Sequence, residues 1–240
     1  VTVPATTLPA GNMLPADVIG SQQCGLYDVN VVRAPQNFVT FADSLDKTRT
    51  DIVTGYEVSV NARIADAFIS GGVNFNNQHV DFQAGSLACD FIDSPEVRFC
   101  ETDTSYRPDI KLNGSYLLPY DVQVSGTYRG LAGPQAIATW AATNAVITPG
   151  LGRPLTSGAT KSISLMEPGT EFFPMRHVFD MRFSKLFRAN RYRFQVMTDF
   201  FNIFNTNATS TINTTFGANL HKPLTVEVPR QFRLSAQFEF

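Results

Sequence analysis

Residues 229–240 read Pro229-Arg-Gln-Phe-Arg-Leu-Ser-Ala-Gln-Phe-Glu-Phe240. In an extended chain Phe232, Leu234, Ala236, Phe238 and Phe240 fall on one side, and Arg233, Ser235, Gln237 and Glu239 on the other. Successive Cβ atoms of a strand point to opposite faces, so period two marks a strand with one apolar and one polar face. Upstream, Tyr192, Phe194, Val196, Thr198 and Phe200 alternate with Arg193, Gln195, Met197 and Asp199. Phe179, Met181 and Phe183 alternate with Asp180, Arg182 and Ser184. Val122, Val124, Gly126 and Tyr128 oppose Gln123, Ser125, Thr127 and Arg129; Ile110, Leu112, Gly114 and Tyr116 oppose Lys111, Asn113 and Ser115. The segments Glu57–Ile64 and Ile69–Asn76 repeat the pattern.

This periodicity predicts an all-β chain with seven strands at roughly 52–64, 68–77, 109–118, 121–131, 177–187, 190–202 and 230–240. Turns at 65–67, 119–120 and 188–189 are tight, whereas the segments 78–108, 132–176 and 203–229 are long and rich in Asn, Thr, Ser, Gly and Pro. Residues 1–51 read as a further loop region, with a local strand near Phe38 to Phe41. Loops beyond about 12–15 residues are uncommon in compact domains. Short turns at one end and long loops at the other are the pattern of an antiparallel transmembrane β-barrel.

Composition agrees. Of 240 residues 43% are apolar and only 17% charged, with 20 Phe against a single Trp. So much apolar content excludes disorder. No apolar run exceeds three residues, whereas a transmembrane helix needs about 20. The net charge of -2 gives no basic footprint for nucleic acid. A soluble sandwich would show the same alternation. Lipid is favoured by the Ser-, Asn-, Gln- and Arg-rich polar faces, which suit a wet lumen, and by Tyr56, Phe75, Tyr116, Tyr128, Tyr192 and Phe240 near the ends of the apolar faces.

The segments Asp180-Met-Arg-Phe-Ser-Lys-Leu-Phe, Asp199-Phe-Phe-Asn-Ile-Phe-Asn-Thr and Pro229-Arg-Gln-Phe-Arg-Leu, with the terminal Phe240, resemble the C-terminal strands of TonB-dependent outer-membrane receptors. Cys24-Gly-Leu-Tyr-Asp-Val, Lys111-Leu-Asn-Gly-Ser-Tyr-Leu-Leu-Pro-Tyr, Val122-Gln-Val-Ser-Gly-Thr and Thr143-Asn-Ala-Val-Ile-Thr-Pro-Gly-Leu-Gly-Arg are similar to the subgroup with an N-terminal carboxypeptidase-regulatory-like domain. The resemblance implies a 22-stranded barrel around an N-terminal plug, coupled by a TonB box to the energy-transducing complex of the inner membrane. Residues 52–240 would then be about seven C-terminal strands, with periplasmic turns, extracellular loops and a periplasmic C-terminus. Phe238 and Phe240 would be the signal read by the barrel-assembly machinery. Neither plug nor TonB box is found in the sequence, and the first residue, Val1, is followed by no signal segment. The expectation is a piece of a longer polypeptide whose outer strands need partners, because an unpaired backbone group in hydrocarbon costs several kcal/mol.

No catalytic or metal-ligating constellation is predicted, and no cofactor. His79, His177 and His221 lack zinc spacing, Asp43, Asp46 and Asp51 match no EF-hand loop, and the Asn113, Asn207 and Asn213 sequons are coincidental in a bacterial envelope. Gly71-Gly72 inside a strand points to a close backbone approach. Cys89 and Cys100 are expected to close a loop by a disulfide, leaving Cys24 over. The lumen face is assigned Arg63, Lys111, Arg129, Arg182, Arg193, Asp199 and Arg233, whose expected role is pairing with one another or with the plug. Tyr106, Trp140, Phe172 and Phe173 stand in the loops, where they would either stack on a sugar or hydrophobic ligand or pack the loops together. The function expected is import of a ligand captured by loops and lumen. A non-transporting envelope scaffold and a secreted β-sandwich binding module are the alternatives.

Overall fold

Three tight turns organise the chain in the computed structural model, which describes residues 1–32, 50–81 and 97–240. Strands β1 (Thr50–Ile64) and β2 (Ala67–Asp81) meet at Ala65-Asp66, where Ala65 takes a φ of 51°. The short β3 (Glu101–Asp103) precedes β4 (Arg107–Leu118) and β5 (Val122–Leu131), joined through Tyr120 and Asp121 with φ of 65° and 56°. Then come β6 (Thr139–Thr143), helix α1 (Asn144–Leu151) and β7 (Thr160–Ser164). Strands β8 (Arg176–Ala189) and β9 (Tyr192–Phe201) turn at Asn190, φ 55°, and β10 (Thr209–Ile212), β11 (Pro223–Val226) and β12 (Gln231–Glu239) follow. Left-handed φ is least costly for Gly, Asn and Asp, so Ala65 and Tyr120 are the unusual members of this set.

The long strands form one antiparallel sheet in the order β1-β2-β4-β5-β8-β9-β12, with β3 added to β2. Within this sheet each long strand pairs with the next along the chain, and β1 and β12 end the path. Among the described residues the sheet is not closed on itself, so each of these two strands keeps one backbone edge without a partner.

Register keeps the two faces in phase. Tyr56 lies opposite Phe75, Val73 opposite Val58 and Ile110, and Leu112 opposite Tyr128. Val124 lies opposite Tyr116 and Phe183, and Phe200 opposite Phe232. A slip of one residue at any pair would invert its apolar set. Gly71 and Gly72 are needed where backbones approach. A Cβ at Gly71 would run into the Lys111 carbonyl, and one at Gly72 would stand 2.7 Å from the Val58 carbonyl oxygen.

The packed core does not lie under the sheet. Val58 is 70% exposed, Phe232 63% and Leu234 67%, and no second sheet covers this face among the described residues. That is not the arrangement of a sandwich. The buried cluster sits instead in a cap built by residues 1–32 and the long connections, and includes Val3, Leu14, Trp140, Ile147, Ile163 and Leu220.

The connections 132–176 and 203–229, expected to lack structure, contain the β6–β7 pair, α1 and the β10–β11 hairpin. Their strands are four or five residues long, too short for alternation to register. Helix α1 carries Pro149 and stops at Gly152, whose left-handed φ of 77° lets its N–H donate to the Thr148 carbonyl. The sheet has eight strands and not seven, because β3 is a three-residue addition. The turn placed at 188–189 lies at Asn190-Arg191, two residues further, which leaves the faces in phase. The strand expected near Phe38 to Phe41 lies outside the described residues, as do Asp43, Asp46 and Cys89.

Candidate functional site

On the polar face the chain gathers charge around one carboxylate. Asp199 of β9 is opposite Arg182 on β8 and Arg233 on β12, because the two ladders share that strand. Arg182 donates to both oxygens of Asp199, and Arg233 donates through Nε at 2.9 Å and stands within 2.8 Å through Nη2. The carboxylate is 4% exposed, whereas the two guanidinium side chains are 44% and 56% exposed. Beside this triad Asp180 receives Arg129 at 3.4 Å and the Asn202 N–H at 2.8 Å. Lys111 lies directly across from Arg129. Arg193 stands 4.0 Å from Glu239. Arg63 occupies the same face near the β1–β2 turn. The sequence-assigned lumen residues therefore share one face, and three of them form a single ion-pair network.

The run Asp199-Phe-Phe-Asn-Ile-Phe-Asn has a local logic. Phe200 points to the apolar face and packs edge-on to Phe232 at 5.3 Å. Asn202 and Asn205 take φ of 48° and 51° as the strand ends. The Asn202 amide donates to the Thr206 and Val228 carbonyls, and the Asn205 side-chain oxygen accepts from the Arg230 N–H. Both asparagines thus tie β9 to the return into β12. This is turn chemistry that Asn supplies and most residues do not.

The apolar face is banded. Toward the turns stand Tyr116, Phe187, Tyr192, Phe194 and Phe238, with Tyr192 stacked on Phe238 at 5.8 Å. Toward the cap stand Tyr56, Phe75, Tyr128, Phe179, Phe200 and Phe232. Between them lie smaller side chains such as Val60, Ile69, Gly114, Val124 and Ala236. Lys185 interrupts the face near the turns, and its ammonium reaches the Tyr120 carbonyl at the β4–β5 turn. A long basic side chain that lays its stem on apolar surface and sends its charge to the rim is snorkelling.

The cap is held by two polar joints. His221, 5% exposed, accepts the Met13 N–H at Nδ1 (3.0 Å) and approaches the Ile137 carbonyl through Nε2 (3.0 Å). A ring that accepts at Nδ1 must carry its proton on Nε2, so the imidazole is neutral. Phe173 packs edge-on against it at 5.6 Å. Burial pushes the His221 pKa below its ordinary value, against the opposing pull of the Ile137 carbonyl. At the second joint, Asp28 accepts Arg153 at 2.6 Å together with the N–H and hydroxyl of Thr156. Burial alone would raise the Asp28 pKa, but these hydrogen bonds and the guanidinium hold it below the usual carboxylate range.

The four loop aromatics separate in this arrangement. Trp140 is 7% exposed and packs edge-on to Phe216 within the cap core. Phe173 packs against the same core. Phe172 lies under the Arg107 guanidinium at 3.9 Å. Tyr106 is 47% exposed and meets Tyr56 at 5.9 Å at the cap end of the apolar face. Cys100 is disulfide-bonded and Cys24 is a free, exposed thiol. No cluster of His, Cys, Asp and Glu able to hold a metal occurs among the described residues. The joints at His221 and Asp28 escape a sequence reading, since their partners are 84 to 208 and 125 to 128 positions away. No protein family, curated protein or solved structure matches the chain.

Proposed function

We propose that the chain forms the C-terminal wall and extracellular cap of a TonB-dependent receptor, an outer-membrane β-barrel that imports a ligand. The observation that carries the reading is the two-faced sheet. An exposed apolar face with aromatics at both ends, interrupted by Lys185 near the turns, lies back to back with a polar face whose charges pair across strands. From Arg176 to Ala189, β8 covers roughly 43 Å of strand. At the ~40° tilt of barrel strands this is roughly 33 Å, enough to cross the roughly 25 Å apolar band of an outer membrane. The apolar face meets lipid and the polar face lines the lumen against the plug. The free edges of β1 and β12 are completed by the further strands that the sequence resemblance implies.

In this reading the tight turns are periplasmic, the cap is extracellular, and Phe238 and Phe240 address the barrel-assembly machinery. Ligand is captured outside and released inward by plug rearrangement driven through the TonB complex, without covalent chemistry or a cofactor. Membrane fractionation of the full polypeptide tests the placement: extraction from outer membranes must require detergent, and recovery in plain buffer after a carbonate wash overturns it. Uptake abolished by dissipating the proton-motive force supports import. A full polypeptide that resides in the outer membrane but supports no energy-dependent uptake leaves a scaffold in its place.

A further inference from the structure

Above Phe232 the outward face of the sheet carries a cation. Arg230 immediately precedes β12, on the cap side of Phe232, and shares a groove with it. Phe200, Ile203, Arg230, Gln231 and Phe232 line a shallow groove on the outside of the β9–β12 pair. Its floor is aromatic: Phe232 packs on Phe200 at 5.3 Å and Phe200 on Phe183 at 6.1 Å. The Arg230 guanidinium has no carboxylate partner among the described residues. Its Nη1 lies 3.4 Å from the Ile203 carbonyl, and its backbone N–H is held by Asn205. At the other end of the same face Lys185 leans on the Phe187 ring at 5.4 Å and turns its charge toward the β4–β5 turn. The apolar band is thus flanked by a cation at each level where headgroups would lie.

We propose that Arg230 and the Phe200–Phe232 groove bind an anionic, phosphate-bearing membrane lipid, with the phosphate on the guanidinium and an acyl chain along the two rings. Charge complementarity selects this occupant. A bare hydrocarbon leaves Arg230 unanswered, and a free anion makes no use of the aromatic floor. Guanidinium is suited to phosphate because its donors match two oxygens at once. The inference rests on the membrane reading above and adds to it a position and a lipid class.

The test uses the full polypeptide, purified in detergent, delipidated, and titrated with phosphatidylglycerol, phosphatidylcholine or inorganic phosphate, with bound lipid counted by native mass spectrometry. One phosphatidylglycerol is expected to be retained in preference to phosphatidylcholine, and Arg230→Gln to weaken it roughly fivefold, the effect of one interfacial charge. Phe232→Ala is expected to weaken both lipids. Lys222→Gln, which removes a cation at the β10–β11 end, is expected to behave as wild type. Unchanged phosphatidylglycerol retention in Arg230→Gln overturns the site, and so does its full displacement by inorganic phosphate. A polypeptide that stays in solution without detergent and binds neither lipid overturns the membrane reading itself.

Discussion

His221 makes the cap sensitive to acid, and the size of the effect follows from its two hydrogen bonds. The ring joins the tail at Met13 to the loop at Ile137 while 5% exposed. Replacing it by Phe keeps the ring and leaves a buried N–H and a buried carbonyl unpaired. At about 1–3 kcal/mol for each orphaned group, and with some water entering the joint, the cap loses about 2–4 kcal/mol. His221→Gln keeps one partner and loses less. Protonation acts on the same joint, since it places a second N–H at Nδ1 against the Met13 N–H. The folded pKa is depressed, so the stabilisation is complete above the ordinary value of about 6.5. It is then lost as pH falls from there through the lowered pKa, at no more than about 1.4 kcal/mol per pH unit. The single Trp, Trp140, is buried in the cap core and reports on it directly. Urea titrations of the full polypeptide, with any tryptophan outside these 240 residues replaced by Phe, followed by Trp140 emission should show the midpoint falling between pH 7.5 and 5, and the red shift on opening should be unchanged in size. His221→Gln should abolish the pH dependence in that interval. Should His221→Gln retain the full slope, the joint described here is not what titrates.

Three further outcomes follow from other contacts. Asp199→Asn leaves Arg182 and Arg233 facing each other without a carboxylate. Breaking a buried ion pair costs about 3–5 kcal/mol, and half-exposed guanidiniums reduce this to about 2 kcal/mol, readable as a lower urea midpoint by circular dichroism. Combining it with Arg182→Gln should cost less than the sum of the two single changes. At Asp28, whose folded pKa is depressed, stabilisation is present above the ordinary value of about 3.9 and lost as pH falls through the lowered one. Protection factors of residues 23–32 in hydrogen exchange, taken against the intrinsic rate at each pH, should therefore fall below pH 4, and Asp28→Asn should show low protection already at neutral pH. Gly71→Ala drives a Cβ into the Lys111 backbone and should separate β2 from β4, preventing assembly into membranes, whereas Gly114→Ala, whose Cβ would find 3.5 Å to the Phe68 carbonyl oxygen, should be tolerated.

The sheet was legible because alternation is a local property. Each long strand holds four or more residues per face, and the tight turns pin the register, so Phe232 and Arg233 declare their sides without knowledge of any partner. The ion-pair network of the polar face was legible only as membership of a face. That Asp199 takes both Arg182 and Arg233 depends on β8 and β12 flanking β9, a consequence of the meander and not of spacing. The cap was not legible. Trp140, Ile147 and Ile163 sit in five- to eight-residue elements amid Thr, Ser and Gly, where neither period two nor period 3.6 has room to emerge. What makes those elements stable is burial by the tail residues Val3 and Leu14, more than a hundred positions upstream. Trp140 and Phe173 had two readings in the sequence, and the structure places both in or against the cap core. Tyr106 stands in the loop between β3 and β4, as the sequence has it, and meets Tyr56 at the cap end of the apolar face.

The most direct measurement is made along β5, where successive residues change face. In a Cys24→Ser background, single cysteines at Val122, Gln123, Val124, Ser125, Gly126 and Thr127 are assayed in intact outer membranes by a water-soluble maleimide. Quenching of an attached fluorophore by spin-labelled lipid is measured in parallel. The account predicts two period-two patterns in opposite phase: maleimide reaction at 123, 125 and 127, and lipid quenching at 122, 124 and 126. Equal labelling of neighbouring positions, or protection of 122, 124 and 126 without quenching by lipid, would contradict a sheet whose apolar face meets the membrane.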